Sequence, residues 1–246
     1  MPRSDFAFPE PLREGVILRR PNRFVMYVRL GKRVVRAHCP ATGRIGGLVF
    51  NGVPCLVAKN LNPGTTKYTV RAISVDPLAR KRKTWIGIDQ VGANRYVEHY
   101  LRAGKLANIV GEVSALRREV PFGRRRLDFL INDNVYLEIK SPLTRLPLNG
   151  SAYATREMAP MVSFDRLLAH FKAMRKIAKD GRALFILCFQ YDAPPFAPPT
   201  TGPKALQRVR RAASRAWAGG VETWQVNLGV SAKGVRLLRA FPLRLR

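Results

Sequence analysis

Acidic side chains are scarce in this chain: 16 Asp and Glu stand against 44 Lys and Arg, a formal charge of +28 over 246 residues. An excess of that size pushes the compact state apart unless a polyanion or its counterions offset it, and nucleic acid is the commonest polyanion available. Cysteine is scarce as well. Cys39, Cys55 and Cys188 are odd in number and nowhere spaced as CxxC, which argues against a disulfide framework and a zinc ribbon and fits a reducing cytoplasm. No apolar run reaches the roughly eighteen residues of a membrane-spanning helix. Residues 1–20 interrupt their apolar character with Pro2, Asp5, Pro9, Glu10 and Pro11, unlike a secretory leader. Neither GxGxxG nor P-loop spacing occurs, and no internal repeat is visible. The chain reads as a soluble, folded protein of one or two domains with DNA or RNA as partner and no membrane role. Charge alone does not choose among nuclease, regulator and RNA scaffold.

The pattern changes once along the chain. From about Gly15 to Asp89 it is short, β-branched and punctuated by turns, with strand-like segments Arg23–Leu30, Arg33–His38, Val53–Ala58, Tyr68–Val75 and Thr84–Ile88. Five strands of this spacing predict a small OB-like barrel, a fold that binds single strands or oligonucleotides. Beyond Asp89 a helical period begins, with Asn94 as the expected cap and Gly104 as the stop. Strands follow at Leu116–Phe122, Arg125–Ile131 and Val135–Ser141, then a helix from Ser163 ending at Asp180-Gly181, then a nearly all-apolar run from Ala183 to Phe189. That run predicts a strand buried on both faces in a parallel pairing, reached by a right-handed crossover. The class is therefore α+β: a barrel domain over residues 1–89, and an α-β-β-β-α-β core with a mixed sheet over 90–246. A proline-rich excursion (Asp192 to Pro203), a third helix from Lys204 to Ala218, and strands near Val221–Leu228 and Val235–Leu238 complete it.

The hairpin at 126–140, Arg-Leu-Asp-Phe-Leu-Ile-Asn-Asp-Asn-Val-Tyr-Leu-Glu-Ile-Lys, carries the chemistry. Asp128 and Glu138 are equidistant from a turn centred on Asp133, so they should oppose each other across the ladder, where like charges repel unless something positive lies between. Glu138 and Lys140 share one strand face. Two carboxylates and a backbone carbonyl, that of Ile139, are enough protein for Mg2+ or Mn2+, and Lys140 beside them can stabilise developing negative charge on a phosphate. This is the layout of a metal-dependent phosphodiesterase. Glu98 on the preceding helix and Glu119 on the first strand are the candidates for a third carboxylate. The bland reading is an exposed hairpin in which Lys140 and the Arg124, Arg125 and Arg126 run neutralise the two acids, for about 0–1 kcal/mol. Those three arginines, with a helical stripe of Lys204, Arg208, Arg211 and Arg215, are also candidates for phosphate contact.

Several stretches together resemble the sugar fermentation stimulation (SfsA) family: Arg-Pro-Asn-Arg-Phe (20–24), His-Cys-Pro-Ala-Thr-Gly (38–43), Leu-Arg-Arg-Glu-Val (116–120), Arg-Leu-Asp-Phe-Leu-Ile (126–131), Tyr-Leu-Glu-Ile-Lys (136–140) and Gly-Val-Glu (220–222). The resemblance implies an OB-like domain joined to a PD-(D/E)xK nuclease-like domain that binds DNA without strong sequence preference, in a family often labelled DNA/RNA nucleases. It implies Asp128, Glu138 and Lys140 as the nuclease-motif residues and Glu98 as the first-helix acid. Where the family usually has Arg-Gly-x-Lys-His-Leu, this chain has Arg166-Leu-Leu-Ala-His170-Phe. Arg166 and His170 are thus the polar matches, four apart on one helical face and candidates for nucleic-acid contact. The alternative function is a non-enzymatic, sequence-nonspecific DNA-binding regulator on a nuclease-like scaffold.

Overall fold

The computed structural model describes residues 5–41, 43–62, 64–123, 125–143, 146–157, 164–198 and 203–243. In chain order these form β1 (Phe6–Ala7), β2 (Arg13–Asn22), β3 (Val25–Leu30), β4 (Arg33–His38), β5 (Val53–Lys59), β6 (Tyr68–Ile73) and β7 (Ile86–Gly87). Then come α1 (Gln90–Arg102), α2 (Ala107–Val110), β8 (Leu116–Phe122), β9 (Arg125–Ile131), β10 (Val135–Lys140), α3 (Asp165–Ile177), β11 (Arg182–Phe189), α4 (Lys204–Ala218), β12 (Glu222–Val230) and β13 (Gly234–Pro242).

The order β4-β3-β2-β5-β6, closed by parallel pairing of β4 with β6, makes a five-stranded OB-like barrel. Alternation builds it: Ile17, Met26, Val28, Ala37, Val53, Cys55 and Val70 point inward and are fully buried or nearly so. The barrel's strand set differs from the sequence reading at both ends. Arg13–Asn22, absent from that reading because its polar second half hides the period, is the strand between β3 and β5. The predicted strand Thr84–Ile88 shrinks to β7, which pairs outside the closed ring.

The second sheet runs β1-β13-β12-β11-β10-β9-β8 and is mixed, with β10, β11 and β12 parallel and the rest antiparallel. Its α-β-β-β-α-β core follows the expected order, and β11 has the parallel neighbour that its apolar sequence requires. One face packs on α1, through Tyr96, Val97, Tyr100 and Leu101 against Leu137, Ile139, Leu184 and Ile186. The other packs on α3 and α4, through Met174, Ile177 and Ala216 against Leu127, Ala183 and Phe185.

The two halves interlock. A division at residue 89 leaves β1 with the barrel, but its hydrogen bonds are with β13 of the second sheet. Leu143, Phe189, Tyr191 and Ala193, on the chain leaving the C-terminal ends of β10 and β11, enter the barrel's core. The barrel is therefore seated over the carboxyl edge of the parallel strands, the edge at which open α/β sheets bind ligands. The joint is cemented by Asp89. This wholly buried residue, rather than Asn94, caps α1: its Oδ1 accepts from Gly92 N at 2.8 Å, its other oxygen pairs with Arg71 of β6, and its carbonyl accepts from Gln190 Nε2 at 2.7 Å. Gly92 leaves the room this needs, because a Cβ there would run into the carboxylate.

Candidate active site

The hairpin joining β9 to β10 turns through the three residues Asn132, Asp133 and Asn134, the first two at positive φ (49° and 59°). It sets the register Val135↔Ile131, Tyr136↔Leu130, Leu137↔Phe129. The next opposed residues are Asp128 and Glu138, as the spacing predicts, but the ladder stops one pair short of them. The Asp128 Oδ2 accepts the Ile139 N–H at 2.7 Å, where a backbone carbonyl would otherwise stand. A strand's N–H lies in the plane of the sheet, so Asp128 fills the seam between separating strands rather than a face. Its Oδ1 accepts from Asn94 Nδ2 of α1 at 2.8 Å.

The break coincides with an irregularity on β8. Glu119, opposite Asp128 between the pairs Arg118↔Phe129 and Val120↔Leu127, adopts φ 50°, uncommon for a residue with a Cβ. Alternation on β9 breaks there: Leu127 packs on the α3 side and Phe129 on the α1 side. Glu119 itself is exposed.

Glu138 is 3% exposed and faces α3. Its Oε1 receives the Lys140 ammonium and the His170 Nδ1–H, the latter at 2.6 Å, and Lys140 Nζ also lies 3.3 Å from His170 Nδ1. Its Oε2 is buried and has no hydrogen-bond partner among the described residues. Burial pushes the Glu138 carboxyl up, but His170 and Lys140 together outweigh this and hold it below the ordinary value. Asp128 goes the other way. Burial and then the Glu138 charge raise its carboxyl, against the Ile139 N–H, Asn94 and Lys140. Asn94→Ala removes a donor to the charged form, so the Asp128 carboxyl is expected to rise further, read as the titration of its carboxyl carbon by NMR.

The proposed site residues do not all meet. Glu98 is held by Arg102 at 3.0 Å and Arg118 at 3.5 Å, and among the described residues no three His, Cys, Asp or Glu side chains converge on one point. Asn94, not Glu98, is the α1 side chain that reaches Asp128. Sequence reasoning missed it by assigning it to the cap; with α1 starting one turn earlier, Asn94 and Glu98 lie one turn apart on the same helix. His170 is 3% exposed, so it serves Glu138 from inside rather than meeting nucleic acid at the surface. Arg126 and Arg166 are exposed and Arg125 half-buried, while Arg124 lies outside the described residues. Lys204, Arg208, Arg211 and Arg215 form an exposed stripe on α4, whose other side packs Ala213 and Ala216 inward.

A closed OB-like barrel seated on a mixed sheet, with a buried glutamate, a half-buried aspartate and a lysine where two of its strands part, defines a class of two-part proteins. The chain matches two family models, the SfsA N-terminal OB domain over residues 18–88 and the sugar fermentation stimulation protein RE domain over residues 92–234. It belongs to the sugar fermentation stimulation protein family. Among its relatives, a sugar fermentation stimulation protein homolog of Synechococcus sp. (strain JA-3-3Ab) is 30% identical over 240 residues, covering 95% of this chain and 93% of the relative. That of Synechococcus elongatus (strain ATCC 33912 / PCC 7942 / FACHB-805) is 28% identical over 254 residues, with both chains covered in full. A solved structure described as Pyrococcus furiosus SfsA in complex with Ca2+ shares the fold at a TM-score of 0.77 and 22% identity, over 98% of this chain and 99% of that one.

Proposed function

We propose that the protein is a metal-dependent nuclease that hydrolyses phosphodiester bonds of DNA or RNA at Asp128, Glu138 and Lys140. The observation that carries this is the buried Glu138 Oε2, which has no hydrogen-bond partner among the described residues. An unsatisfied buried carboxylate oxygen costs on the order of 1–3 kcal/mol or more, and a hard cation is the ligand that would remove the cost. The carboxyl of Asp128, raised by burial and then by the Glu138 charge, supports the same reading, since a cation would offset both. So does the Ca2+ bound by the Pyrococcus furiosus protein.

The donor set of two carboxylates and the Ile139 carbonyl suits Mg2+ or Mn2+, which keep several of their waters. When bound, such a cation lowers the pKa of a coordinated water and neutralises charge on the scissile phosphate. The chain's own groups do the rest. His170 and Asn94 fix the rotamers of Glu138 and Asp128, so the acids are positioned before substrate arrives. Lys140, whose side chain is 28% exposed, reaches from Glu138 toward solvent and offers its ammonium to the phosphate oxygens. Exposed Arg126, Arg166 and the α4 stripe supply long-range attraction that falls with salt.

A second reading, a nonspecific DNA-binding regulator, is favoured by one observation: Glu138 Oε1 already has two cationic or donor partners within the protein. Incubation with labelled single- and double-stranded DNA and RNA, with Mg2+ and with chelator, separates the two. The enzyme yields cleaved product only with metal; the regulator binds without any product, and its affinity falls by orders of magnitude over a few-fold rise in salt. No helix among the described residues is long and apolar enough to cross a membrane.

A further inference from the structure

The segment entering β7, the N-terminal strand β1 and the β12–β13 hairpin meet along an open groove of about 740 Å³, on the far side of β11 from the Asp128–Glu138 seam. Two glycines shape it. A Cβ on Gly234 would strike the Phe6 carbonyl, so glycine there lets β1 lie close against the hairpin. Gly229 stands opposite Arg236 in the β12–β13 register, and an added Cβ would stand 3.2 Å from Arg236 Nε, so the arginine side chain lies across the bare backbone of Gly229. The volume falls within the range of small-molecule sites, about 300–1,000 Å³.

Three chemistries line the groove. Trp85 packs with Val230 and Ala232 around Leu12, Leu56 and Ala72 and is half-buried, so part of its indole remains in the groove. Lys233 and Arg236, on the hairpin, are exposed and form no ion pair among the described residues. A third lining cation, Lys83, is held by Glu14 at 2.8 Å. Of the lining acids, Asp192 is held by Arg239 at 2.8 Å, whereas Asp5 is exposed and has no ion-pair partner among the described residues.

We propose that this groove binds a free nucleoside phosphate, with the base stacked on Trp85, the phosphates held by Lys233 and Arg236, and the ribose hydroxyls by Asp5. The site is separate from Asp128, Glu138 and Lys140 and does not depend on the nuclease reading. A ring face, a carboxylate and two cations are complementary to the three parts of one molecule. An indole stacks with a base, a carboxylate accepts from ribose hydroxyls, and a guanidinium and an ammonium take phosphate. Inorganic phosphate would gain nothing from the ring and would be repelled by Asp5. An apolar ligand would have to displace water from both cations with no hydrogen bond in return.

Isothermal titration calorimetry of the whole protein in chelator, with ADP, pyrophosphate and adenosine as probes, tests this. Wild type is expected to bind ADP saturably, about tenfold or more tighter than either fragment of it. Trp85→Leu should weaken ADP binding about tenfold and leave pyrophosphate unchanged. Arg236→Gln, at an exposed position, should weaken ADP and pyrophosphate alike, and it carries the test where Trp85→Leu folds poorly. Lys32→Gln, at the turn between β3 and β4, removes one positive charge outside the groove and should leave ADP binding unchanged. ADP bound no more tightly than pyrophosphate, or weakened equally by Lys32→Gln and Arg236→Gln, would trace the binding to overall charge and overturn the proposal. Unaltered ADP binding in either folded groove variant overturns it as well. Absence of nuclease activity with the ADP pattern intact leaves this site standing, whereas absence of saturable ADP binding with cleavage intact removes this site alone.

Discussion

Asp128→Asn is expected to abolish Mg2+-dependent cleavage while raising the melting temperature of the cation-free protein. The two effects have one cause. Burial and the neighbouring Glu138 charge raise the Asp128 carboxyl above its ordinary value, so the folded state binds this proton more tightly than the unfolded chain does. The favourable contribution is fully present below the unfolded pKa, about 3.9, and is lost as pH rises through the raised value. At neutral pH the ionised group is a burden that only a cation relieves. Asparagine mimics the neutral form and keeps an amide oxygen for the Ile139 N–H. The expected gain is about 2 °C or more at neutral pH, vanishing in acid, with cleavage reduced by more than about 100-fold. Wild type should also gain stability on adding Mg2+ in a way that Asp128→Asn does not. Lys140→Met separates the roles: cleavage should fall about 10²–10³-fold with the Mg2+-induced shift retained. Thermal melts and gel assays across pH read all of this, and cleavage by Asp128→Asn at the wild-type rate would leave the enzymatic reading without support.

The largest loss of stability is expected at Asp89. Its carboxylate is wholly buried, pairs with Arg71, lies 3.7 Å from Arg95 and caps Gly92, and its carbonyl receives Gln190. Asp89→Ala strands the mostly buried Arg71 guanidinium and uncaps α1 together. Removing one partner of a buried pair costs about 3–5 kcal/mol, so the urea midpoint should fall steeply. Asp89→Asn keeps the cap and should lose less. Because Asn94 rides on the first turns of the same helix, Asp89→Ala should also loosen the Asn94–Asp128 contact and raise the Asp128 carboxyl. Equal stability of Asp89→Ala and wild type would show that this joint does not hold the two halves together.

Much of the architecture was legible in local pattern. The strands at 116–122, 125–131 and 135–140 and the helix at 204–218 follow their periodicity closely, because each buries one face against one neighbour. The buried apolar run of β11 announced its parallel setting. Elements whose partners lie far away in sequence were not legible: β1, two residues long, exists only because β13 offers it an edge, and β2 ends in Arg-Arg-Pro-Asn, a polar tail that local pattern assigns to a loop.

The candidate site divides in the same way. The hairpin arithmetic from Asp128 to Glu138 is a property of the chain, since side chains alternate with a period of two and a three-residue turn centred on Asp133 fixes the register. That arithmetic holds up to Leu137↔Phe129. What happens one pair later is tertiary. Glu119 stands at positive φ on the next strand opposite the break in β9, Asp128 lies in the seam and takes the Ile139 N–H, and Asn94 and His170 arrive from helices on opposite faces of the sheet. Spacing along a chain determines which residues share a strand and a turn. Which donors are left without water, and so which acid is raised and which lowered, is decided only when other segments bury them.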